Sequence, residues 1–141
     1  MVMSIQVDIV SAERELYSGL AKMVFAPAIL GEVGIAPGHT PMLSQLGPGE
    51  VRLKLSEGAE EAFYISGGML EVQPRAVTIL SDTAARAEDL DEAAVIQAKQ
   101  AAEQTIAEKS TAMDYAKARA ELAETVAQLQ TIQRLRRRAG R

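Results

Sequence analysis

Apolar and polar residues alternate along short segments in the first part of this chain. Ile5, Val7 and Ile9 alternate with polar residues at positions 6 and 8, and residues 51–55 repeat the pattern. Further short apolar segments lie at 20–25, 63–66, 69–72 and 77–80. A period of two places alternate side chains on one face of a half-buried strand. Strands this short need a second sheet over their apolar face, so we predict an antiparallel β-sandwich.

Glycine and proline interrupt the segment between residues 31 and 51, GEVGIAPGHTPMLSQLGPGEV. Glycine reaches backbone angles that other residues adopt only at a cost, and proline fixes φ and lacks an amide donor. This segment is therefore predicted to form tight corners between short buried strands rather than a helix. A second glycine pair, Gly67-Gly68, lies between two apolar segments and predicts a hairpin turn.

The composition changes after the last of these strands. All five prolines and nine of the ten glycines precede residue 75, and the chain from residue 84 onward is rich in strong helix formers. Asp89 and Glu92 have the spacing of a capping box, which predicts a first helix from about residue 90 to about residue 109. Thr111 and Asp114 repeat that spacing, which predicts a second helix over about 112–138. The predicted fold class is α+β, with an antiparallel β-sandwich over residues 1–86 and an antiparallel α-helical hairpin over residues 87–141.

The two predicted helices present faces of different size. The second helix carries mostly large apolar residues at steps of three and four, and the first carries mostly small ones. The expected face of the second helix comprises Tyr115, Ala118, Leu122, Val126, Leu129, Ile132 and Leu135, and that of the first comprises Leu90, Ala94, Ala98, Ala101 and Thr105. Burial of alanine gains little, since each methylene contributes about 0.8 kcal/mol. We therefore expect a hairpin of marginal stability that is able to exchange one packing partner for another.

Charge is distributed unevenly along the chain. The formal net charge is −4, yet the last helix ends in Arg134, Arg136, Arg137 and Arg138 after an acidic stretch over 88–133. Composition alone leaves three interpretations of this basic end open: a solvated helix terminus favoured by the helix dipole, contact with nucleic acid or acidic lipid, and contact with an acidic protein surface. The acidic net charge and the lack of interleaved aromatic residues argue against nucleic acid.

The inventory of reactive side chains argues against an enzyme. The chain has no cysteine and a single histidine, His39. Cysteine nucleophiles, disulfides and thiolate metal sites are therefore excluded, and one histidine with scattered acids does not form a metal-ligand set. A triad of His39 with Ser44 and an acid lacks an orienting partner, so we expect the His39 ring to hydrogen-bond within its own corner.

Two further classes of function lack their sequence signals. Neither glycine-rich segment has the Gly-Lys-Ser/Thr ending of a phosphate-binding loop. No apolar run approaches the roughly 20 residues of a membrane helix, and no signal peptide is recognisable. We therefore expect any association with a membrane to run through another subunit.

Five segments, in order, carry a resemblance to a known family. GEVGIAPGHTPMLSQLGPGEV, YISGGMLEV and VTILSDTAARAEDLDE are preceded by VDIVSAERELYSG and followed by DYAKARAELAETVAQL. Over almost the whole chain this series closely resembles the epsilon subunit of the bacterial F-type ATP synthase. The resemblance implies a non-catalytic subunit of the central rotor, peripheral on the cytoplasmic face of the plasma membrane. Such a subunit attaches the gamma shaft to the ring of c subunits, so that proton-driven rotation reaches the catalytic head.

The resemblance also implies contacts for particular residues of the sandwich. Glu32 and His39 would face the c ring, and Ser11 and Ser44 would face the gamma shaft. A carboxylate at position 32 suits the basic ring loops that the resemblance implies, because complementary charges at an interface fix its register.

The helical hairpin is expected, from the same resemblance, to inhibit ATP hydrolysis. Folded down, it leaves rotation free; extended, it inserts into the catalytic head of alpha and beta subunits. There Arg134, Arg136, Arg137 and Arg138 would pair with an acidic segment of the beta subunit. A two-state element with a small free-energy difference suits such a switch.

One departure from the family concerns nucleotide binding. Members that bind ATP carry Leu-Asp-x-x-Arg-Ala at the start of the first helix. Leu90 and Asp91 match this motif, but Ala94 replaces its arginine, which would have been a charged partner for phosphate. We therefore expect no cofactor, with ATP binding weak or absent. A nucleotide-sensing hairpin and an adaptor that binds RNA or acidic lipid through its basic tail remain the alternative functions.

Overall fold

The computed structural model describes residues 4–107 and 111–139, and the chain divides into two compact units, Met1–Arg86 and Ala87–Arg141. In the described part, the first unit contains strands β1 Ile5–Ser11, β2 Glu15–Ala21, β3 Met23–Ala28, β4 Gly31–Ile35, β5 Met42–Leu46, β6 Gly49–Lys54, β7 Glu60–Ile65, β8 Gly68–Gln73, β9 Ala76–Ser81 and β10 Ala84–Arg86. The second unit contains helices α1 Glu92–Ala107 and α2 Ala112–Ala139. Short 3-10 turns lie at Ser56–Gly58 and Ala87–Asp89. The predicted fold class, a β-sandwich followed by a helical hairpin, is confirmed.

The strands form one hydrogen-bonded sheet folded into two layers. Its order is β10-β7-β6-β3-β5-β8-β9-β1-β2, with β4 paired to β3. The single registered pair between β3 and β5, Ala28 opposite Leu46, marks the corner between the layers. The core between them is aliphatic apart from Phe63, and in β1 and β6 its buried side chains occupy the alternate positions that the sequence pattern predicts. The fully buried side chains of the core include Ile5, Val7, Ile9, Val24, Ile35, Val51, Leu53, Phe63, Ile65, Leu70, Val72, Val77 and Ile79.

Arg86 connects the two ends of this strand order. From β10 its Nη1 donates to Glu61 Oε2 on β7 at 2.7 Å, and its Nη2 donates to the Leu16 carbonyl on β2 at 3.4 Å. Its guanidinium also lies 5.4 Å from the ring centroid of Phe63, against which Tyr17 packs edge-on at 5.5 Å. Burial raises the pKa of Tyr17, with Glu61 adding to the rise and Arg86 opposing it. Because Arg86 joins β10 to β2, the two ends of the strand order, the sheet closes in a barrel-like manner.

One strand pair departs from the antiparallel arrangement. β1 pairs with β2 antiparallel but with β9 parallel, in the register of Val7 with Val77 and Ile9 with Ile79. The other registered pairs of the described strands are antiparallel. A parallel pair needs a long connection, and here the chain from β2 to β8 supplies it.

The strand expected over residues 20–25 is divided in the structure. β2 ends at Ala21 and β3 begins at Met23, because the amide of Lys22 turns to donate to the Lys54 carbonyl at 2.6 Å. β3 then continues through Pro27 to Ala28. The carbonyl of Pro27 accepts from the Gly47 amide at 2.9 Å, so this proline contributes an acceptor where it has no donor.

The hairpin predicted at Gly67-Gly68 is wrong. β7 pairs with β6 and β10, whereas β8 pairs with β5 and β9, so the two glycines carry the chain from one layer to the other. Both have positive φ, 121° at Gly67 and 143° at Gly68. A Cβ on Gly68 would lie 1.9 Å from the backbone oxygen of Leu80, so the close approach of two strands also requires glycine there.

The helix caps agree with the prediction at one helix and differ at the other. Thr111 caps α2, since its Oγ1 accepts from the Asp114 amide at 3.2 Å. At α1 the cap is Asp91 rather than the predicted Asp89, with Asp91 Oδ1 accepting from the amides of Ala93 at 3.1 Å and Ala94 at 3.3 Å. α1 thus begins at Glu92, and the end expected for it at residue 109 lies outside the described residues.

The expected face of α2 is observed in part, and that of α1 is displaced. On α2, Ala118 and Ile132 are buried as predicted, whereas Tyr115 is exposed and the buried Ala127 and Thr131 were not expected. On α1 the buried residues are Val95 and Ala102, while the predicted residues Ala94, Ala98 and Ala101 are exposed. The face that contains the larger Val95 removes more apolar surface from water than an all-alanine face does. The spacing of the alanines alone did not show that α1 packs through Val95 and Ala102.

Candidate functional site

Glu32 belongs to a charged cluster on the outer face of β3, β4 and β6. Arg52 Nη2 donates to Glu32 Oε1 at 2.7 Å, and Arg52 Nε lies 3.7 Å from Glu50 Oε1. The Arg52 guanidinium also lies 4.6 Å from the centroid of the Phe25 ring, a cation–π distance. The predicted ring-contact residue is therefore ion-paired within the sandwich, with its partner on a strand that the sequence pattern did not connect to it.

His39 lies in a corner between β4 and β5 that is closed by backbone hydrogen bonds. The His39 amide donates to the Ala36 carbonyl at 3.2 Å, and the Gly38 amide donates to the Pro74 carbonyl at 2.8 Å. The ring contacts its own corner, with Nδ1 2.6 Å from the Thr40 carbonyl oxygen, which confirms the expected local hydrogen bond. His39 follows the C-terminal end of β4, whereas Glu32 lies near its N-terminal end, so the structure does not bring these two residues together.

The two predicted gamma-contact serines have local hydrogen bonds. Ser11 Oγ accepts from the amides of Glu13 and Arg14, both at 3.3 Å, and donates to the Arg14 carbonyl at 3.2 Å, which fixes the turn between β1 and β2. Ser44 on β5 donates to the Gln45 carbonyl at 3.3 Å. Strands β8 and β9 lie between β5 and β1, so the strands that carry the two serines are about 14 Å apart across the sheet.

An apolar groove adjoins Ser11, and the sequence reasoning did not single it out. It has a volume of about 350 Å³ and is lined by Val10, Ser11, Ala12, Gly68, Met69, Leu80, Ser81 and Asp82. Met69 and Leu80 lie opposite each other on β8 and β9, and both are exposed. The signal was present in the alternation, because both are apolar residues at positions whose neighbours face the core.

The nucleotide-motif residues at the start of α1 have structural roles. The amide of Leu90 donates to the Ala87 carbonyl at 3.3 Å, and the Asp91 carboxylate accepts the two amide bonds of the helix cap. Ala94, at the position of the motif arginine, is exposed. The Asp91 carboxylate is thus already bonded to backbone donors at the place where the motif would hold a nucleotide.

The basic end of α2 is joined to the beginning of α1. Arg136 forms a bidentate ion pair with Glu92, in which Nη1 lies 3.3 Å from Oε1 and Nη2 contacts Oε2. Glu92 is the first residue of α1 and Arg136 lies in the last turn of α2, so each charge is also favoured by its own helix dipole. Of the four predicted head-contact arginines, Arg136 is thus engaged within the hairpin, and Arg137 is exposed.

The described ranges lack both a metal-binding cluster and a membrane-spanning helix. Within residues 4–107 and 111–139, no group of three or more His, Cys, Asp or Glu side chains is placed to hold a metal ion. No helix of the same ranges combines the length and the apolar character needed to cross a bilayer.

Comparison with family models assigns both units. Residues 4–87 match the β-sandwich domain of the ATP synthase delta/epsilon chain, and residues 88–133 match the long α-helix domain of the same chain. The chain belongs to the ATP synthase delta/epsilon family. The family resemblance predicted from the sequence motifs is therefore confirmed.

Curated relatives of the ATP synthase delta/epsilon family are similar to this chain over nearly its full length. The ATP synthase epsilon chain of Nitrosococcus oceani is 59% identical over 140 residues, which cover 99% of this chain and 100% of the relative. The ATP synthase epsilon chain 1 of Methylococcus capsulatus is 61% identical over 138 residues, which cover 97% and 98%. Both units of this chain therefore have counterparts in these epsilon chains.

Solved structures share the fold at lower identity. A chain of the Euglena gracilis mitochondrial ATP synthase aligns with a TM-score of 0.81 at 19% identity and covers 90% of this chain and 80% of its own length. A chain of the Tetrahymena thermophila mitochondrial ATP synthase central stalk and c ring aligns with a TM-score of 0.64 at 16% identity, covering 91% and 96%. At these identities the likeness concerns the fold alone.

Proposed function

We propose that this chain is a non-catalytic rotor subunit of the central stalk of an F-type ATP synthase. In this role the sandwich joins the gamma subunit to the ring of c subunits, and the helical hairpin inhibits ATP hydrolysis. The observation that carries the proposal is the match of both units, over 4–87 and 88–133, to the two domains of one family. The subunit would lie on the cytoplasmic face of the bacterial plasma membrane and associate with the membrane only through the assembled complex.

The sandwich offers two separate surfaces for its two partners. Glu32 projects a carboxylate from the β4 face, which suits a basic loop of the c ring, and His39 lies in the corner that follows the other end of β4. Ser11 lies at the rim of the apolar groove formed with Met69 and Leu80, which suits an apolar segment of the gamma subunit. Ser44 would extend this second contact across the sheet.

The hairpin offers a contact that the inhibitory state would exchange. In the folded hairpin Arg136 binds Glu92, so its guanidinium is occupied by a carboxylate of the same chain. On extension that carboxylate would be replaced by an acidic segment of the catalytic head, with Arg134, Arg137 and Arg138 joining the contact. An exchange of one carboxylate for another has a small net free energy, as a reversible switch requires.

Removal of the hairpin tests the proposal. A chain that ends after Asp89 lacks α1 and α2 but retains the whole strand region. In the reconstituted ATP synthase, this truncated chain is expected to remain bound to gamma and the c ring while ATP hydrolysis rises above that of the full-length assembly. Unchanged hydrolysis would contradict the inhibitory role, and loss of the truncated chain from the complex would contradict the assignment of the rotor contacts to the sandwich.

A further inference from the structure

Arg52 is fixed in place from two sides that do not involve Glu32. Below it lies the face of Phe25, 4.6 Å from the guanidinium carbon to the ring centroid. Beside it lies Glu50, whose side chain is 0% exposed and whose Oε1 is 3.7 Å from Arg52 Nε. The Phe25 ring is itself closely packed, because a Cβ on Gly34 would come within 3.2 Å of it. A guanidinium held in this way has lost its rotational freedom before it meets Glu32.

Glu32 is the solvent-facing member of this cluster. Its side chain is 47% exposed, against 25% for Arg52. Arg52 Nη2 binds Oε1 of its carboxylate at 2.7 Å, so one oxygen is anchored to the sandwich and the group still faces solvent. A long acidic side chain on an exposed strand otherwise samples several rotamers, and ordering it upon association weakens binding.

We infer that Arg52 is a positioning residue, which holds the Glu32 carboxylate in one orientation for a cationic group of the partner. This inference rests on the proposed contact between Glu32 and the c ring and adds the residue that prepares it. Net charge alone does not explain the arrangement. Lys54 Nζ also lies over the Phe25 ring, 5.6 Å from its centroid, so the cluster contains two acids and two bases. Its contribution to recognition is therefore the direction in which one carboxylate points.

A double-mutant cycle tests this role. Four full-length chains are compared: the unsubstituted chain, Glu32→Gln, Arg52→Gln and the double variant. Their dissociation constants are measured on a detergent-solubilised complex of c ring and gamma subunit. Arg52→Gln is expected to weaken binding about three- to fivefold in the unsubstituted chain, in line with one partly exposed ion pair, and to have no further effect in the Glu32→Gln chain.

Two more variants separate positioning from charge and from folding. Lys54→Gln removes the same charge from beside the same Phe25 ring and is expected to leave the dissociation constant unchanged. Arg52→Lys keeps a cation beside buried Glu50, so it protects the fold, but one ammonium group does not replace the planar fork that spans two carboxylates. It is expected to weaken binding about twofold, again only when Glu32 is present.

Distinct results overturn the inference and the function on which it rests. Full affinity of Arg52→Gln, or equal weakening by Arg52→Gln with and without the Glu32 carboxylate, shows that Arg52 does not act through Glu32 while leaving the ring contact intact. Equal effects of Lys54→Gln and Arg52→Gln show that general charge is responsible. Full affinity of Glu32→Gln contradicts the ring contact itself, and the positioning role of Arg52 with it.

Discussion

Replacement of Gly68 by alanine is expected to destabilise the sandwich severely. The φ of Gly68 is 143°, and a residue with a side chain held in such a region costs about 1–3 kcal/mol. The new Cβ would also lie 1.9 Å from the carbonyl oxygen of Leu80 and 2.9 Å from its carbonyl carbon. Both are backbone atoms of β9, so relief requires β8 and β9 to separate, with the loss of at least one ladder hydrogen bond worth about 1 kcal/mol. We expect a total loss of about 2–4 kcal/mol, a large part of the roughly 5–15 kcal/mol of a typical domain.

Alanine substitutions at two other glycines separate the effect of backbone strain from that of the steric clash. Gly38 has a φ of 84°, and a methyl group added there would meet no atom within 4 Å, so Gly38→Ala introduces backbone strain alone, at about 1 kcal/mol. Gly47 has neither a positive φ nor a neighbour within 4 Å, so Gly47→Ala is expected to be neutral or to stabilise by a few tenths of a kcal/mol to about 1 kcal/mol.

Urea unfolding of the three variants, followed by circular dichroism, gives the free energies of unfolding. The expected order of stability is Gly47→Ala, then Gly38→Ala, then Gly68→Ala, with a drop in melting temperature of roughly 4–8 °C for each kcal/mol lost. A Gly68→Ala chain within about 1 kcal/mol of the unsubstituted protein would refute the reasoning, because the two strands would then tolerate a methyl group between them.

Three further predictions concern a titration, an ion pair and a ligand. Burial raises the pKa of Tyr17 above 10.0 in the folded chain, so the unfolded chain loses its phenolic proton first as the pH rises. The stability that comes from this shift is therefore complete below about pH 10 and is lost as pH rises through the folded-state pKa. Tyr17→Phe should flatten this alkaline decline in the free energy of unfolding. Glu92→Gln removes the partner of Arg136, a side chain that is 67% exposed, so the hairpin should lose less than about 1 kcal/mol of stability. Amide hydrogens should exchange faster at its open end, where α1 begins and α2 ends. Glu103→Gln, which breaks a pair with Lys99 within α1, is the matched control that should leave exchange at that end unchanged. ATP titrated into the purified chain should bind weakly or not at all, because Ala94 provides no guanidinium and Asp91 is bonded to the helix amides; a dissociation constant in the micromolar range or below would contradict this.

Local patterns in the sequence predicted the elements and much of the core. Val7 and Ile9 face the core because alternation is a property of the strand itself, whatever its partners are. The Thr111 cap was predicted for a similar reason, since a hydroxyl bonds an amide three residues later. The Asp91 cap was missed because Asp89, two residues earlier, has an equally suitable side chain and the better-spaced glutamate.

Partners distant in the chain were beyond the sequence patterns. Glu32 and Arg52 meet because β4 and β6 both flank β3, and that arrangement depends on the pairing register of three strands. Gly67-Gly68 has the composition of a hairpin turn, but the strands on either side of it pair elsewhere. The roles predicted for single residues came from the family resemblance, because hydrophobic periodicity carries no such information. The structure adds that Glu32 and Arg136 are already ion-paired within the chain, to Arg52 and Glu92.

The parallel pairing of β1 with β9 has a consequence for how the molecule is made. Gln6 lies opposite Ala76, so the first strand cannot gain its second neighbour until about 70 residues have followed it. Contacts between residues so far apart close large loops, which slows folding in comparison with a sheet built only of hairpins. Until β9 is synthesised, one edge of β1 exposes unpaired amides and carbonyls, the feature through which nascent chains associate wrongly. The sandwich is thus expected to acquire its final stability late and in a single step, after nearly all of its strands have left the ribosome.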